Sequence, residues 1–207
     1  FTIANSGHCG MTIRSGTSSY GTIYFSDGDD GSADEVRGFI DYNHSNNQLQ
    51  LGANAATRLR ISSDGHITAP NNVAFSARGG PADISDDVIV FGTQVFQRGG
   101  TNYSTSTGIF TAPVDGIYHF MCNPYRYQTS NDSSILLETS TDGGSSWSSQ
   151  IEVRNENDYG SDSGRGWFTL SLSQLIDLNA NDQVRIKAVN RVHTNGVFSR
   201  FSGFLVA

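Results

Sequence analysis

Long apolar runs are missing from this sequence. Nothing approaches the roughly 18 consecutive apolar residues of a membrane-spanning helix, and no window repeats apolar residues at a helical period. Insertion into a membrane through helices and an all-α fold are both excluded. Charge is sparse, at 16% of 207 residues, and leans acidic, with a net charge of −7. The 13 Lys and Arg residues are scattered and form no stripe. Phosphate contact needs a cationic surface, so nucleic acid is excluded as a partner. Cysteine is nearly absent. Cys9 and Cys122 have no disulfide-type spacing; an intrachain disulfide is one reading, and the simpler one is two buried thiols of a chain folded in a reducing compartment. Phe1 brings no initiating Met, basic stretch or signal-type apolar segment, so the expectation is the distal piece of a longer chain, with "SGFLVA" as its last strand.

What is present is glycine, 23 residues of it, among many Ser, Asn and Thr. Such a turn-rich mixture fits many short strands, hence an all-β protein. The chain uses two different patterns, which divide it at 1–69 and 70–207.

Residues 1–69 are short apolar pieces between Gly, Asp and Asn turns: "MTIRS", "GTIYFSDG", "RGFIDYNH", "NQLQLG" and "RLRISSDGHI". Each reads as a strand. Period-two alternation puts Leu49 and Leu51 on one face and Gln48 and Gln50 on the other. Leu59 and Ile61 share a face, and Ile67 follows the turn. Each strand buries only a thin apolar stripe, and a segment of this size is marginal alone. Association of several copies along an axis is the natural remedy. The cues Gly-x-Ile-x-Phe-x-Asp-Gly, "YNHSNN" and Arg-x-Arg-Ile, over about 10–68, resemble a segment of bacteriophage tail-fibre proteins. That resemblance implies a slender trimeric β shaft, a place in the virion after assembly in the host cytoplasm, and further fibre N-terminal to residue 1.

In the second part, "TGIFTAPVDGIYHF" carries a turn flanked by Pro113 and Gly116 between two strands. Beyond it Tyr118, Phe120 and Cys122 point one way, and Ile117, His119 and Met121 the other. A sandwich strand normally keeps one face wet. Two apolar faces imply that one packs on the domain core and the other on a neighbouring subunit. The closing "VFSRFSGFLVA" has the same character.

Phe75, Tyr103, Gly108-x-Phe110, Pro113, Gly116-x-Tyr118-x-Phe120, Ser199-x-Phe201 and Gly203-Phe204 fall in an order that resembles the C1q/tumour-necrosis-factor-like family. The resemblance implies a jelly-roll sandwich of about ten strands and a homotrimer. The polar "CNPYRYQTSNDSS" departs from the family's usual segment.

Counting strand directions from a base near Val73 puts three loops at the opposite end, 123–133, 156–166 and 191–196, and returns Ala207 to the base. These loops supply the candidate ligand-binding residues Tyr125, Arg126, Tyr127, Asn131, Asp132, Asn157, Asp158, Tyr159, Arg165, Arg191, His193 and Asn195. Tyrosine faces and amide hydrogen bonds suit sugars, and loops on a rigid scaffold favour binding. Turn chemistry alone also enriches Asn, Asp, Ser and Gly. Asp132, Asp158 and Asp162 are the candidates for Ca²⁺ at that end.

Other chemistry is weaker. "DGDDG" (27–31) lacks EF-hand spacing and reads as a β-turn. The five histidines show no zinc spacing. On a threefold axis His44 or His66 alone would supply three metal ligands, though hydrogen bonding is the simpler role. No nucleophile elbow appears, and Asp158 with Asp162 makes only a weak glycosidase pair. Trp147 falls in a basal turn, and Trp167 opens an alternating strand that suits a core. The expected function is therefore a non-enzymatic, homotrimeric fibre tip that attaches to host cell-surface polysaccharide or lipopolysaccharide. The alternatives are a purely structural trimerisation cap and a polysaccharide depolymerase.

Overall fold

The computed structural model describes residues 6–7, 9–28, 33–81, 84–127, 133–155, 167–192, 194 and 197–207. At 125–127, 155, 167–168 and 190–191 it describes the backbone alone. The chain divides into two compact units, Phe1–Asn71 and Asn72–Ala207.

The first unit is a single antiparallel meander of β1 (Tyr20–Phe25), β2 (Gly38–Asn43), β3 (Gln48–Ala53), β4 (Ala56–Ile61) and β5 (Ile67–Thr68), with a 3-10 turn at Ala33–Val36. Register lines up Ile23, Ile40, Leu51 and Leu59 across four strands, with Tyr42, Leu49, Ile61 and Ile67 on the same face. The opposite face carries Thr22, Asp41, Gln50, Arg60 and Thr68. The alternation read from the sequence holds, but the burial it suggested does not, and at Gln50 and Leu51 it is reversed. Leu51 is 39% exposed and Ile67 68%, whereas Gln50 is 9% exposed. The reason is geometric: the unit is one layer, and no second layer covers its apolar side. On the polar side long side chains cover one another, with Thr57 donating to Gln50 at 2.8 Å and Asn43 to the Tyr20 hydroxyl at 3.0 Å. Phe39 lies over Gly52 on the facing strand, where a Cβ would run into the ring.

Two readings of this unit need correction. "MTIRS" is not a strand. Met11 and Ile13 lie along the apolar face beside Gly21, Ile23, Ile40 and Tyr42, around an open groove of about 300 Å³. Apolar side chains contribute more by covering an apolar face than by extending an edge into water. Cys9 is exposed, not buried, and neither it nor Cys122 forms a disulfide.

The second unit is a two-sheet jelly-roll sandwich. Its strands are β6 (Ala74–Arg78), β7 (Ile84–Ser85), β8 (Thr93–Arg98), β9 (Ile109–Thr111), β10 (Gly116–Asn123), β11 (Tyr125–Tyr127), β12 (Ser133–Ser140), β13 (Ser148–Asn155), β14 (Trp167–Thr169), β15 (Leu172–Leu178), β16 (Gln183–Val192) and β17 (Arg200–Leu205). One sheet has the order β15-β10-β17-β6-β8. The other has β13-β12-β16-β7, with β9 also on β16, and β11 pairs with β14. All the buried hydrophobic residues among those described lie in this unit. An aromatic cluster centres the core: Phe75 stacks on Tyr103 at 4.8 Å and meets Phe201 edge-on at 5.1 Å, and Phe110 meets Phe120 at 5.3 Å. The buried Tyr103 hydroxyl is satisfied by the Phe91 N–H at 3.1 Å. Burial pushes the thiol pKa of Cys122 up, so it stays protonated and inert. Among the described residues no helix is long and apolar enough to cross a membrane.

Candidate functional site

The start and finish of the second unit meet at one end. The N–H of Leu205 donates to the Val73 carbonyl at 2.9 Å, and that of Ile117 to the Ala207 carbonyl at 2.8 Å. The first long strand, β6, and the last, β17, pair antiparallel, as the direction count requires. Gly116 faces Leu178, and Ser140 faces Gln183, at this same basal end.

Register fixes what gathers at the other end. Asn123 faces Arg200, and Arg200 faces Arg78. Tyr127 faces Trp167, Ser133 faces both Asn155 and Asn190, and Arg191 faces Ser85. The strand ends that carry the three long connections therefore lie together, opposite the base. Thr194 is fully buried there, and its hydroxyl donates to the Pro81 carbonyl.

Of the candidate residues, Tyr125, Arg126 and Tyr127 fall on β11 and Arg191 on β16. Only their backbone is described. Asn131, Asp132, Asn157, Asp158, Tyr159, Asp162, Arg165, His193 and Asn195 lie outside the described residues, and so do the carboxylates considered for Ca²⁺. Among the described residues no three His, Cys, Asp or Glu side chains come together as a metal site.

Of "DGDDG" only Asp27 and Gly28 are described; Arg37, which pairs with Asp34, reaches Asp27 at 3.5 Å. His44 lies edge-on to Tyr42 at 5.0 Å. The guanidinium of Arg185 covers the ring of Trp147 at 3.9 Å, and the indole N–H donates to the Gly144 carbonyl at 3.0 Å. Trp147 sits in the basal 141–147 turn. There Asp142 accepts from Ser140 and Ser146, and these hydrogen bonds lower its pKa to about 2.

The outer face of β15-β10-β17-β6-β8 is a second feature. On β10, Tyr118, Phe120 and Cys122 are buried at 0%, and Ile117, His119 and Met121 turn outward. Neighbours extend the apolar area: Leu175 is 56% exposed, Phe204 38% and Phe96 45%. His119 lies among them, 2.7 Å from the Ser173 hydroxyl and edge-on to Phe204 at 5.3 Å. Packing within this unit therefore accounts for one face of the sheet and leaves the other uncovered by the unit itself.

Comparison with known proteins matches residues 74–206 to the family model described as C1q domain. Among solved structures, the globular domain of zebrafish complement 1qA is similar, with a TM-score of 0.51 and 17% identity over 66% of this chain and 98% of that one. The Eiger TNF of S. frugiperda gives a TM-score of 0.53 and 12% identity over 66% of this chain and 94% of that one. No curated protein matches the sequence.

Proposed function

The chain belongs to the C1q domain family, and from that premise we propose that it is the trimeric tip of an attachment fibre, of the kind phage tails carry, which binds a cell-surface glycan through the loop-bearing end of the second unit. Domains of the C1q and tumour-necrosis-factor type commonly form homotrimers and are typically binding modules, not enzymes. The carrying observation is the register. It gathers the strand ends bearing 128–132, 156–166 and 193–196 at the end opposite Val73 and Leu205. Rigid strands then hold variable loops, and polar loop residues recognise sugar hydroxyls.

Association follows from the unpartnered faces. Ile117, Leu175, Phe204 and Phe96 form the area through which copies of the second unit pack. In the first unit Ile23, Ile40, Leu51 and Ile67 lack a covering layer, and the equivalent face of another copy supplies one. Three weak sites on one trimer convert modest affinity into firm attachment.

The test is binding of the full chain to an array of bacterial surface polysaccharides. The double variant Arg126→Ala, Tyr159→Ala should lose binding while keeping its melting temperature. Unchanged binding would favour a structural cap, and release of reducing ends from the bound polysaccharide would favour a depolymerase.

A further inference from the structure

Arg78 and Arg200 sit directly opposite each other on β6 and β17. Phe75 and Ala77 on one strand, and Phe201 and Gly203 on the other, fill the core, so alternation turns both arginines to the outer face. Residues opposed in this way have Cα atoms about 4.5–5.5 Å apart, where like charges repel. Three arginines are neutralised by a carboxylate: Arg37 by Asp34, Arg154 by Glu152, Arg185 by Glu138. Among the described residues Arg78 and Arg200 have no such carboxylate, in a chain of net charge −7. Two opposed cations without a counter-ion are an arrangement that an incoming anion completes.

The surroundings extend this chemistry. Asn123 faces Arg200 from β10, and its side-chain oxygen accepts from Ser171 at 2.8 Å, which leaves its NH₂ group to donate outward. Thr93 faces Arg78 from β8. The row Asn123, Arg200, Arg78, Thr93 is thus rich in donors. It is the last on its sheet before the loop-bearing end, beyond the apolar rows of Phe204 and Phe96, so association through those rows leaves it at the rim. Arg78 also lines an open pocket of about 360 Å³. Gly79, Gly80 and Gly92 form part of its wall, beside Val90, Thr93 and Val197.

We propose that Arg78 and Arg200, flanked by Asn123 and Thr93, form an anion subsite for carboxylate or sulfate groups carried on a polysaccharide. The inference rests on the reading of this end as a glycan-binding face and narrows that glycan to an acidic one. A guanidinium fork matches the paired oxygens of a carboxylate or sulfate, and such charge-assisted bonds are stronger than those to neutral sugar hydroxyls.

The experiment measures binding of the full chain to polygalacturonate, dextran sulfate and uncharged dextran at moderate salt. At least one acidic polymer should bind, and dextran should not. Polygalacturonate alone identifies carboxylate as the anion, and dextran sulfate alone identifies sulfate. Arg200→Gln, at an exposed side chain, should weaken binding about tenfold or more, as should Arg78→Gln. Arg98→Gln, at the basal end of β8 opposite Ala74, should stay within about twofold. Equal losses for Arg98→Gln and Arg200→Gln would mean diffuse attraction and overturn the subsite. Wild-type affinity in both Arg78→Gln and Arg200→Gln would do the same. If neither acidic polymer binds but a neutral glycan on the array does, the subsite falls and the glycan-binding reading stands. Binding to no glycan of any kind would remove both.

Discussion

Phe75 on β6 and Gly203 on β17 are cross-strand partners, and the Phe75 ring occupies the space a side chain at 203 would need. A Cβ there would lie 2.8 Å from Phe75 and 2.7 Å from Phe120. The glycine in "FSGF" is therefore a packing requirement of the aromatic core. Gly203→Ala should destabilise the fold by about 1–3 kcal/mol, the range for overpacking a well-filled core. The midpoint of urea unfolding measures it, and an unchanged midpoint would mean that the rings shift freely.

The outer face of the same sheet carries the association. Leu175→Asp places a charge opposite His119, among Ile117, Met121 and Phe204. Because Leu175 is 56% exposed in one chain, the change should leave the single-chain fold intact. Light scattering should show the variant shifted toward lower mass with its circular dichroism unchanged.

The basal turn has its own pH dependence. Hydrogen bonds from Ser146 and Ser140 lower the pKa of Asp142 to about 2, below its ordinary value of 3.8. A depressed carboxylate stabilises the fold above its unfolded pKa, and that contribution disappears as pH falls through the folded one. Wild type and Asp142→Asn should therefore differ in melting temperature at pH 5, and the gap should close between about pH 4 and pH 2. A gap that persists at pH 2 would assign the effect to turn geometry instead of charge.

Glu138 and Arg185 form a more enclosed pair at 2.7 Å, with side-chain exposures of 8% and 19%. Glu138→Gln leaves the guanidinium stacked on Trp147 without its counter-charge. The expected cost is roughly 3 kcal/mol, read from urea unfolding. The change should not alter glycan binding, since the pair lies toward the base.

Much of the sandwich was legible because alternation survives folding. Tyr118, Phe120 and Cys122 against Ile117, His119 and Met121 is the observed division between core and outer face. Strand directions counted from the turns agree with the observed pairing of β6 with β17. What alternation cannot show is which face is covered. In the first unit it sorted Leu51 from Gln50 correctly but suggested the wrong one as buried, because a single layer has no inside. Nor does a linear sequence announce pairs made by tertiary register. Arg78 lies beside Arg200, and Arg185 over Trp147, only because distant strands meet. Residues singled out in the loops, such as Asn131 and Asp158, rested on composition, and turn chemistry favours the same residue types for purely local reasons.

The most direct test of the account is the mass of the full chain in solution, measured by light scattering on a sizing column. Three times the 22.3 kDa of one chain is expected, because each unit by itself leaves an apolar face uncovered. A mass of 22.3 kDa at micromolar concentration would contradict it, for those faces would then stand in water and the avidity that makes weak loop sites useful would be lost.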